Sequence, residues 1–433
     1  MKYPIASSWP AIASLALNCA LIGLLCGRAS AEDLLIRGAT VHTVTARGSL
    51  ENTDVLVHNG IIAALGQPST AQPSTMTDDT SVLDARGKEL TPGLFGGLTD
   101  IGLEEIEAEP ETVDSTLNMK APAWDQQWRP ELDVSQAFNP RSFVVSVTRI
   151  EGVTWTVLNP DSGDSIIGGQ GAAVTLDGRF DAVLAGSHTL FVQMGSDGAK
   201  HTGGTRAAQY MLLEQAVREA RAAGPPAPGS LLHPAGQAAL IRYLSGGRVV
   251  FQVDRAADIL GVLKFARGHG IRPVIAGGDE AWLVAKELAE ANVPVIMNPL
   301  SDLPVGFDHL GASLDNAARL QRAGVRIAFS SGDTPQARLV RQLAGNAVAH
   351  GLPWESALAA ITANPADIFG LGATRGRIAV GQVADLVLWS GDPLEVSTTA
   401  ERVWIAGRAV DMRSRQTELR DRYLEKVKAR QAR

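Results

Sequence analysis

The residues whose types and positions suit them for chemistry are carboxylates that follow apolar, strand-like runs. Asp100 and Glu104 follow the run at 94–98, and Asp333 ends the stretch VRIAFSSGD. Such oxygen atoms can hold a hard cation such as Ca²⁺ or Mg²⁺, and two carboxylates can exchange protons without a metal when their surroundings separate their pKa values. The alternative is a charged loop facing solvent, because exposed acids are common without an ion. The sequence favours this alternative, so no carboxylate-held cation is expected. The other acids of the run are Glu105, Glu107, Glu109 and Glu111.

Polar side chains at other predicted strand ends are candidates for binding a small polar molecule. Gln252 and Asp254 lie at the end of RVVFQVD, and Asn298 ends VPVIMN. Side chains in such positions can hydrogen-bond a ligand, and equally they can satisfy backbone groups of the loops that follow. We predict Gln252, Asp254 and Asn298 as substrate-binding residues.

The eight histidines do not form a metal-binding pattern, since no two of them are spaced i,i+2 or i,i+4. Unclustered histidines are more often solvated or capping residues than ligands. His188 and His309 are placed to approach the predicted strand ends, but neither follows directly after a strand. No residue is therefore predicted as a metal ligand.

The elements that position these residues alternate between strand and helix through the middle of the chain. This pattern predicts an α/β fold with a (β/α)8 TIM-type barrel. RVVFQVD leads into a predicted helix at 256–267 and RPVIAGG into one at 280–291. Earlier strands are harder to place and are predicted at 143–148, 154–159 and 190–194. The Gly-rich stretch at 161–171 is predicted to be a structural or substrate-covering loop.

The two ends of the chain carry a second strand pattern, with apolar and polar residues alternating at period two and a hairpin signal at Asn59-Gly60. A small β-sandwich built from both ends is predicted, together with an exposed loop at 67–79. The predicted organisation is a signal peptide at 1–31, the composite β-sandwich domain at 32–88 and 376–415, the barrel at 89–375, and a charged C-terminal helix at 416–433.

The first residues are typical of a secretory signal peptide. Lys2 precedes an apolar run at 11–25, and Ala-Ser-Ala stands before Glu32. The run is short for a bilayer span, and an uncleaved anchor is the alternative. We expect a periplasmic or secreted protein with no membrane span after cleavage. Cleavage also removes both cysteines, so the mature chain has no disulfide.

The overall charge argues against nucleic acid as a partner. The formal net charge is −7 and the pI is near 5.7, and nucleic-acid-binding proteins carry a basic patch instead. The hydrophobic fraction of 45% is enough for a large core.

Two stretches, KELTPGLFGGLTDIG at 88–102 and NPADIFGLGATRGRIAVGQVADLVLW at 364–389, carry a family resemblance. They resemble the amidohydrolase superfamily, specifically an exported branch of the imidazolonepropionase-like amidohydrolases. KELTPGLFGGLTDIG is similar to the stretch that opens the catalytic barrel in metal-dependent amidohydrolases, where T-P-G-L is followed by H-x-H. NPADIFGLGATRGRIAVGQVADLVLW resembles their passage from the barrel back into the β-sandwich. The resemblance covers nearly all of the mature chain and implies a barrel with a composite sandwich.

Most positions that the resemblance assigns to metal ligands carry other residues here. In chain order these positions carry Leu98, Asp100, Gln193, Gln252, Gly277-Gly278 and Asp333. Only Asp333 keeps a matching group, which the resemblance implies as the proton-transfer residue. Asp100 is a chemically different substitute for a histidine. We predict Asp333 and Asp100 as catalytic residues, with no cofactor at the standard site.

The resemblance implies a hydrolase that acts on carbon–nitrogen bonds other than peptide bonds, in small cyclic amides. Without the histidines no bound zinc lowers the pKa of water. The alternative is therefore a catalytically inactive pseudoenzyme that serves as a periplasmic ligand-binding or partner module. The expected partner is a small polar molecule, and a homo-oligomer is compatible with the sequence.

Overall fold

The structure is a computed structural model that describes residues 33–67, 80–106, 108–117 and 128–431. The predicted signal peptide lies outside the described residues, as do Glu107 and nearly all of the predicted loop at 67–79.

Strands are found at both ends and through the middle of the chain. They are β1 (Leu34–His42), β2 (Ser49–His58), β3 (Ile61–Gly66), β4 (Ser81–Asp84), β5 (Glu89–Pro92), β6 (Leu94–Thr99), β7 (Val153–Leu158), β8 (Ile167–Gly171), β9 (Ala173–Thr175), β10 (Thr189–Gln193), β11 (Arg248–Val253), β12 (Arg272–Gly277), β13 (Val295–Met297), β14 (Ile327–Phe329), β15 (Leu386–Trp389), β16 (Ala400–Ile405) and β17 (Arg408–Ala409).

The helices lie mainly between the central strands. They are α1 (Phe143–Arg149), α2 (Gly195–Lys200), α3 (Arg206–Arg221), α4 (Pro234–Leu244), α5 (Ala256–His269), α6 (Ala285–Glu290), α7 (Asn316–Arg322), α8 (Val340–Ala349), α9 (Trp354–Ala360), α10 (Ala363–Ile368) and α11 (Arg415–Gln431). Short 3-10 helices cover Pro110–Thr112, Val134–Ala137, Ala281–Val284, Phe307–His309 and Thr334–Leu339. Within the described ranges, no helix combines the length and the apolar character needed to cross a bilayer.

One sheet is built from both ends of the chain. Its strand order is β17-β16-β15-β5-β1-β2-β3, and β4 pairs with β1. The late strand β15 lies beside the early strand β5, where Leu388 is paired with Leu90. The indole of Trp389 also donates a hydrogen bond of 2.8 Å to Thr91 Oγ1. This sheet therefore depends on contacts between the two ends.

The central strands form the barrel-type part of the fold. Strands β10 to β14 are parallel neighbours, and β6 is parallel to β7. The ladders form two sheets, β14-β13-β12-β11-β10-β8 and β6-β7-β9. The sheets adjoin at Ala172, which separates β8 from β9, and at Ser330, whose hydroxyl accepts a 3.0 Å hydrogen bond from Leu98 N of β6.

Side chains of the central strands alternate between two cores. One core contains residues from β6, β7 and each of the strands β10 to β14, including Phe95, Trp155, Phe191, Val250, Val274, Ile296 and Ala328. On β6 and on β10 to β14, the adjacent apolar residues pack in a larger core that also contains helix residues such as Leu263 and Leu288. Alternation of this kind is expected when one face of each strand points into a barrel and the other lies under helices.

Two sequence expectations for the early barrel are wrong. Residues 143–148, predicted as a strand, form most of helix α1, which starts with Ser142 Oγ accepting a hydrogen bond from Val144 N. Parallel neighbours such as β6 and β7 need a crossover connection, and α1 lies in that connection. The stretch at 161–171, predicted as a loop, contains strand β8.

The third strand position of the barrel departs from an all-parallel (β/α)8 arrangement. Strand β9 is antiparallel to β7, and β8 is antiparallel to β10. The chain reverses direction in the segment 159–166, and β8 and β9 follow with only Ala172 between them. The returning chain therefore pairs with β10 through β8 and with β7 through β9.

Candidate functional site

A cavity of about 780 Å³ opens beyond the carboxyl ends of β6, β7 and β11. Asp100, Gln252 and Asp333, three of the predicted site residues, line it. We call it the mouth cavity. Ligands of parallel α/β barrels bind at this end of the strands, so its position agrees with a binding role.

Asp100 is fixed at the cavity wall by contacts between β6 and the segment after β14. Gly97 has φ +96°, and a Cβ there would lie 2.6 Å from Ser330 Oγ, so glycine permits this close approach. One residue beyond β6, Asp100 N donates a 2.9 Å hydrogen bond to Thr334 Oγ1. Its carboxylate Oδ1 is buried without a hydrogen-bond partner. A buried oxygen of this kind is favourable only when a ligand or water donates to it.

Asp333 lies on the exposed rim of the mouth cavity. Its carboxylate Oδ2 accepts a 2.8 Å hydrogen bond from Gln336 Nε2 at the start of a 3-10 helix. A solvated carboxylate in this position can exchange a proton with a bound molecule.

Gln252 reaches the cavity from β11. Its side-chain Nε2 donates a 3.2 Å hydrogen bond to Asn159 Oδ1, and both residues line the cavity. This contact leaves the carbonyl oxygen of Gln252 as an acceptor. The position can therefore orient a polar molecule.

The lining of the mouth cavity is acidic. Besides Asp100 and Asp333, the described part of the lining includes carboxylates from other loops and one guanidinium, that of Arg338. The Glu105 carboxylate accepts hydrogen bonds from Ser142 Oγ at 2.9 Å and from Asn139 Nδ2 at 3.2 Å.

Helix α1 contributes an apolar wall on another side of the mouth cavity. The additional acids are Glu104, Glu105 and Asp161, and the apolar wall contains Phe143, Val144 and Val147. A small polar molecule with a positive charge suits this lining.

Asp254 lies in a different group, which we call the carboxylate–histidine cluster: Asp254, Asp279 and His309. One ligand-type atom from each lies within 4.8 Å of the others. His309 Nδ1 is 2.7 Å from Asp279 Oδ2, and His309 Nε2 is 4.0 Å from Asp254 Oδ2. The imidazole therefore lies between two carboxylates.

The pKa values of Asp254 and His309 are shifted by their surroundings. Burial and the nearby charge of Asp279 raise the pKa of Asp254 to about 6. Burial would lower the pKa of His309, but its hydrogen bond to Asp279 and the charge of Asp254 outweigh burial and raise it. The carboxylate of Asp254 and the imidazole of His309 therefore interact electrostatically.

Asn298 has a local structural contact. Its Oδ1 accepts a 3.0 Å hydrogen bond from Leu300 N, two residues later. This satisfies a loop backbone group, as the alternative interpretation of this residue expects.

Sequence reasoning missed Asp279, and it named His309 as able to approach the strand ends but not as a ligand. The signal for Asp279 was available, since it lies two residues beyond β12, beside the end of β11 that carries Asp254. His309 lies in a 3-10 helix after β13 and has no ligand spacing to either acid. The adjacent ends of β11 and β12 bring Asp254 and Asp279 together, and the segment after β13 adds His309.

Comparisons with known proteins agree on one family. A model of the amidohydrolase family matches residues 169–410, more than half of the chain. The chain is 47% identical over 60 residues to the amidohydrolase tasK of Hapsidospora irregularis, and this match spans only 6% of that protein. It is 25% identical over 386 residues to the imidazolonepropionase of Chromobacterium violaceum, covering 79% of this chain and 86% of that one.

A solved structure gives the same picture. The crystal structure of an amidohydrolase from Thermotoga maritima superposes with a TM-score of 0.72 at 26% identity, covering 88% of this chain and 100% of that chain. A TIM-type barrel with a small additional domain is the architecture that this similarity supports.

Proposed function

The chain belongs to the amidohydrolase family, and from that premise we propose that it is an exported member that binds a small polar molecule in the mouth cavity. Its proposed reaction is hydrolysis of a carbon–nitrogen bond other than a peptide bond, in a small cyclic amide. The observation that carries this proposal is the position of Asp100, Gln252 and Asp333 around one cavity at the carboxyl ends of the strands.

In this reaction the side chains of the cavity have distinct roles. Gln252 orients the amide through its carbonyl oxygen, and Asp100 accepts a hydrogen bond from an N–H or cationic group of the substrate. Asp333 accepts a proton from water and returns it to the leaving nitrogen, as general acid–base catalysis requires. The opened ring then leaves with a new carboxylate and a new amine.

The metal centre that the family resemblance implies does not fit the residues present. Leu98, Gln252 and Gly277 stand at three of the ligand positions, and none offers an imidazole or a carboxylate. Gln252 Nε2 is moreover directed at Asn159 Oδ1. We therefore propose no step through a metal at that place.

The same replacements favour a second candidate function, which is binding without catalysis. Water without a metal keeps a high pKa, so its activation loses the contribution that a bound zinc ion would supply. In this case the protein is a periplasmic binding or partner module with the fold of a hydrolase. Binding in the mouth cavity is common to both candidates, and they differ in whether a bond is broken.

The test combines a binding measurement with product analysis. The melting temperature of the mature protein is measured in the presence of cyclic amides, some with and some without a primary amine. A ligand at about 100 times its Kd stabilises the folded state by about 2.7 kcal/mol. We expect amine-bearing amides to stabilise the protein and Asp100→Asn to weaken the effect. Glu355→Gln, an exposed acid on α9, is the matched control and should bind normally.

Chromatography of the same mixtures detects ring opening. A product whose rate falls in Asp333→Asn supports hydrolysis, while binding with no product supports the binding module. If no compound stabilises the protein, or if Asp100→Asn binds as the control does, the assignment of the mouth cavity is wrong.

A further inference from the structure

The carboxylate–histidine cluster is separate from the residues used in the proposed function. Asp254 follows β11 directly, Asp279 lies two residues beyond β12, and His309 ends a 3-10 helix beyond β13. We propose that these three residues form a site for a divalent transition-metal ion such as Zn²⁺. Within the part of the chain that the structure describes, this is the group in which three ligand-type side chains converge.

The distances suit a single ion. One donor atom from each residue lies within 4.8 Å of the other two. Zinc bonds to nitrogen and carboxylate oxygen at about 2.0–2.2 Å, so two donors on one ion are separated by up to about twice that length. Small side-chain movements bring all three donors onto one ion. An imidazole with two carboxylates is a ligand set that zinc accepts and that distinguishes the site from all-oxygen magnesium sites.

The backbone leaves space for the Asp254 carboxylate. Gly277 has φ +88°, and a Cβ at this residue would lie 2.3 Å from Asp254 Oδ1. Any other residue would collide with the carboxylate in its observed place. Gly277 is also where the family resemblance puts a histidine ligand. Glycine in place of this histidine thus leaves space beside β12 for the carboxylate of Asp254 as a different ligand.

Among the residues that the structure describes, the guanidinium groups near the cluster pair with other acids. Arg206 donates to Asp258 at 2.9 Å and also pairs with Asp308, and Arg255 donates to Asp258 at 3.0 Å. In the described structure the ion-pair partner of both Asp254 and Asp279 is His309. A dication would balance the two carboxylates.

A hydroxyl also fixes one of the acids. Ser301 Oγ donates a 2.7 Å hydrogen bond to Asp279 Oδ2. Hydrogen bonds of this kind orient ligating carboxylates in metal sites. Asp279 is therefore held in place before an ion arrives.

Zinc titration of the full-length protein tests the site. Protein stripped with chelator and dialysed is titrated with ZnCl₂ by calorimetry, and bound zinc is counted by elemental mass spectrometry after gel filtration. We expect about one zinc ion per chain. We expect the double variant Asp254→Asn with Asp279→Asn to abolish stoichiometric zinc binding. Loss of a residue that only orients a ligand typically weakens metal binding by ~10–100-fold, and we expect His309→Gln to weaken it by more than this.

The matched control is a histidine that contacts a carboxylate outside the carboxylate–histidine cluster. His269 lies 2.9 Å from Glu214, and His269→Gln should bind zinc as the wild type does. Replacement of bound zinc by Co²⁺ should give a visible absorption band that His309→Gln changes and His269→Gln leaves intact.

Three results would overturn the proposal: no stoichiometric zinc in the wild type, full binding in the double variant, or loss of binding in Asp100→Asn. The last result would place the ion in the mouth cavity. Since His309 is partly exposed, its variant is expected to fold even if the double variant does not. The zinc experiment needs no substrate, so its failure is distinguishable from failure of the proposed function.

Discussion

Replacing Gly277 by alanine tests the close contact between β12 and Asp254. The residue has φ +88°, and the added Cβ would lie 2.3 Å from Asp254 Oδ1. The left-handed backbone costs a non-glycine residue about 1–2 kcal/mol. Moving Asp254 away from its preferred rotamer adds about 0.5–1.5 kcal/mol. Gly277→Ala should therefore lower the free energy of unfolding by about 1.5–3.5 kcal/mol.

Gly324 provides the matched control for the backbone contribution. Its φ is +86°, and a Cβ there would meet no atom within 4 Å. Gly324→Ala should lose only the cost of the left-handed backbone, about 1–2 kcal/mol. Urea unfolding followed by tryptophan fluorescence in the presence of chelator measures both variants without a contribution from bound metal.

The double variant Gly277→Ala with Asp254→Ala completes the cycle. Removing the carboxylate relieves the contact, so the two substitutions should be less destabilising together than their separate effects added. Our account would be refuted if Gly277→Ala is no less stable than Gly324→Ala, or if the two substitutions are additive.

Three further predictions concern packing, charge and processing. Ser330→Ala removes the acceptor of the Leu98 amide and should lower unfolding free energy by about 1–3 kcal/mol in urea titrations; an unchanged midpoint would contradict this. Arg375→Met leaves the buried Asp385 carboxylate, whose pKa burial already raises, without its cation and should cost about 3–5 kcal/mol at neutral pH. Because a raised pKa favours the protonated acid, this deficit should shrink as pH falls, and a deficit constant with pH would argue against it. If the chain is exported as we propose, intact-mass analysis of the protein purified from cells should place its first residue at Glu32, and a mass that retains the leader would favour an anchor.

The late part of the barrel could be predicted from the sequence because its signals are local. Strand β11 and helix α5 were expected at nearly their observed positions, since an apolar run there is followed by a helical pattern. The segment that forms α1 was wrongly predicted as a strand because it is rich in Val, Thr and Phe, which favour strands. Its helical state is fixed by the need to connect two parallel strands, which no local pattern records.

The candidate site was partly predictable for the same reason. Asp100, Gln252 and Asp333 lie at strand ends, and parallel strands bring such ends to one edge, so their place on one cavity follows from the fold. Asp254 also follows directly after a parallel strand, but its carboxylate belongs to the carboxylate–histidine cluster. Its partner His309 comes from a loop whose path depends on tertiary packing, and the sequence carries no spacing that reveals it.

The sheet built from both ends of the chain determines when the protein can finish folding. Thr91 and Trp389, which join β5 to β15, are 298 residues apart. During synthesis the early strands are complete long before their neighbour exists, and an unpaired strand edge is a template for association with other chains. Contacts between such distant residues also form slowly, because a long loop must close first. The first sheet to be made is therefore among the last to be completed, and a chain that stops short of β15 would keep an open edge at β5.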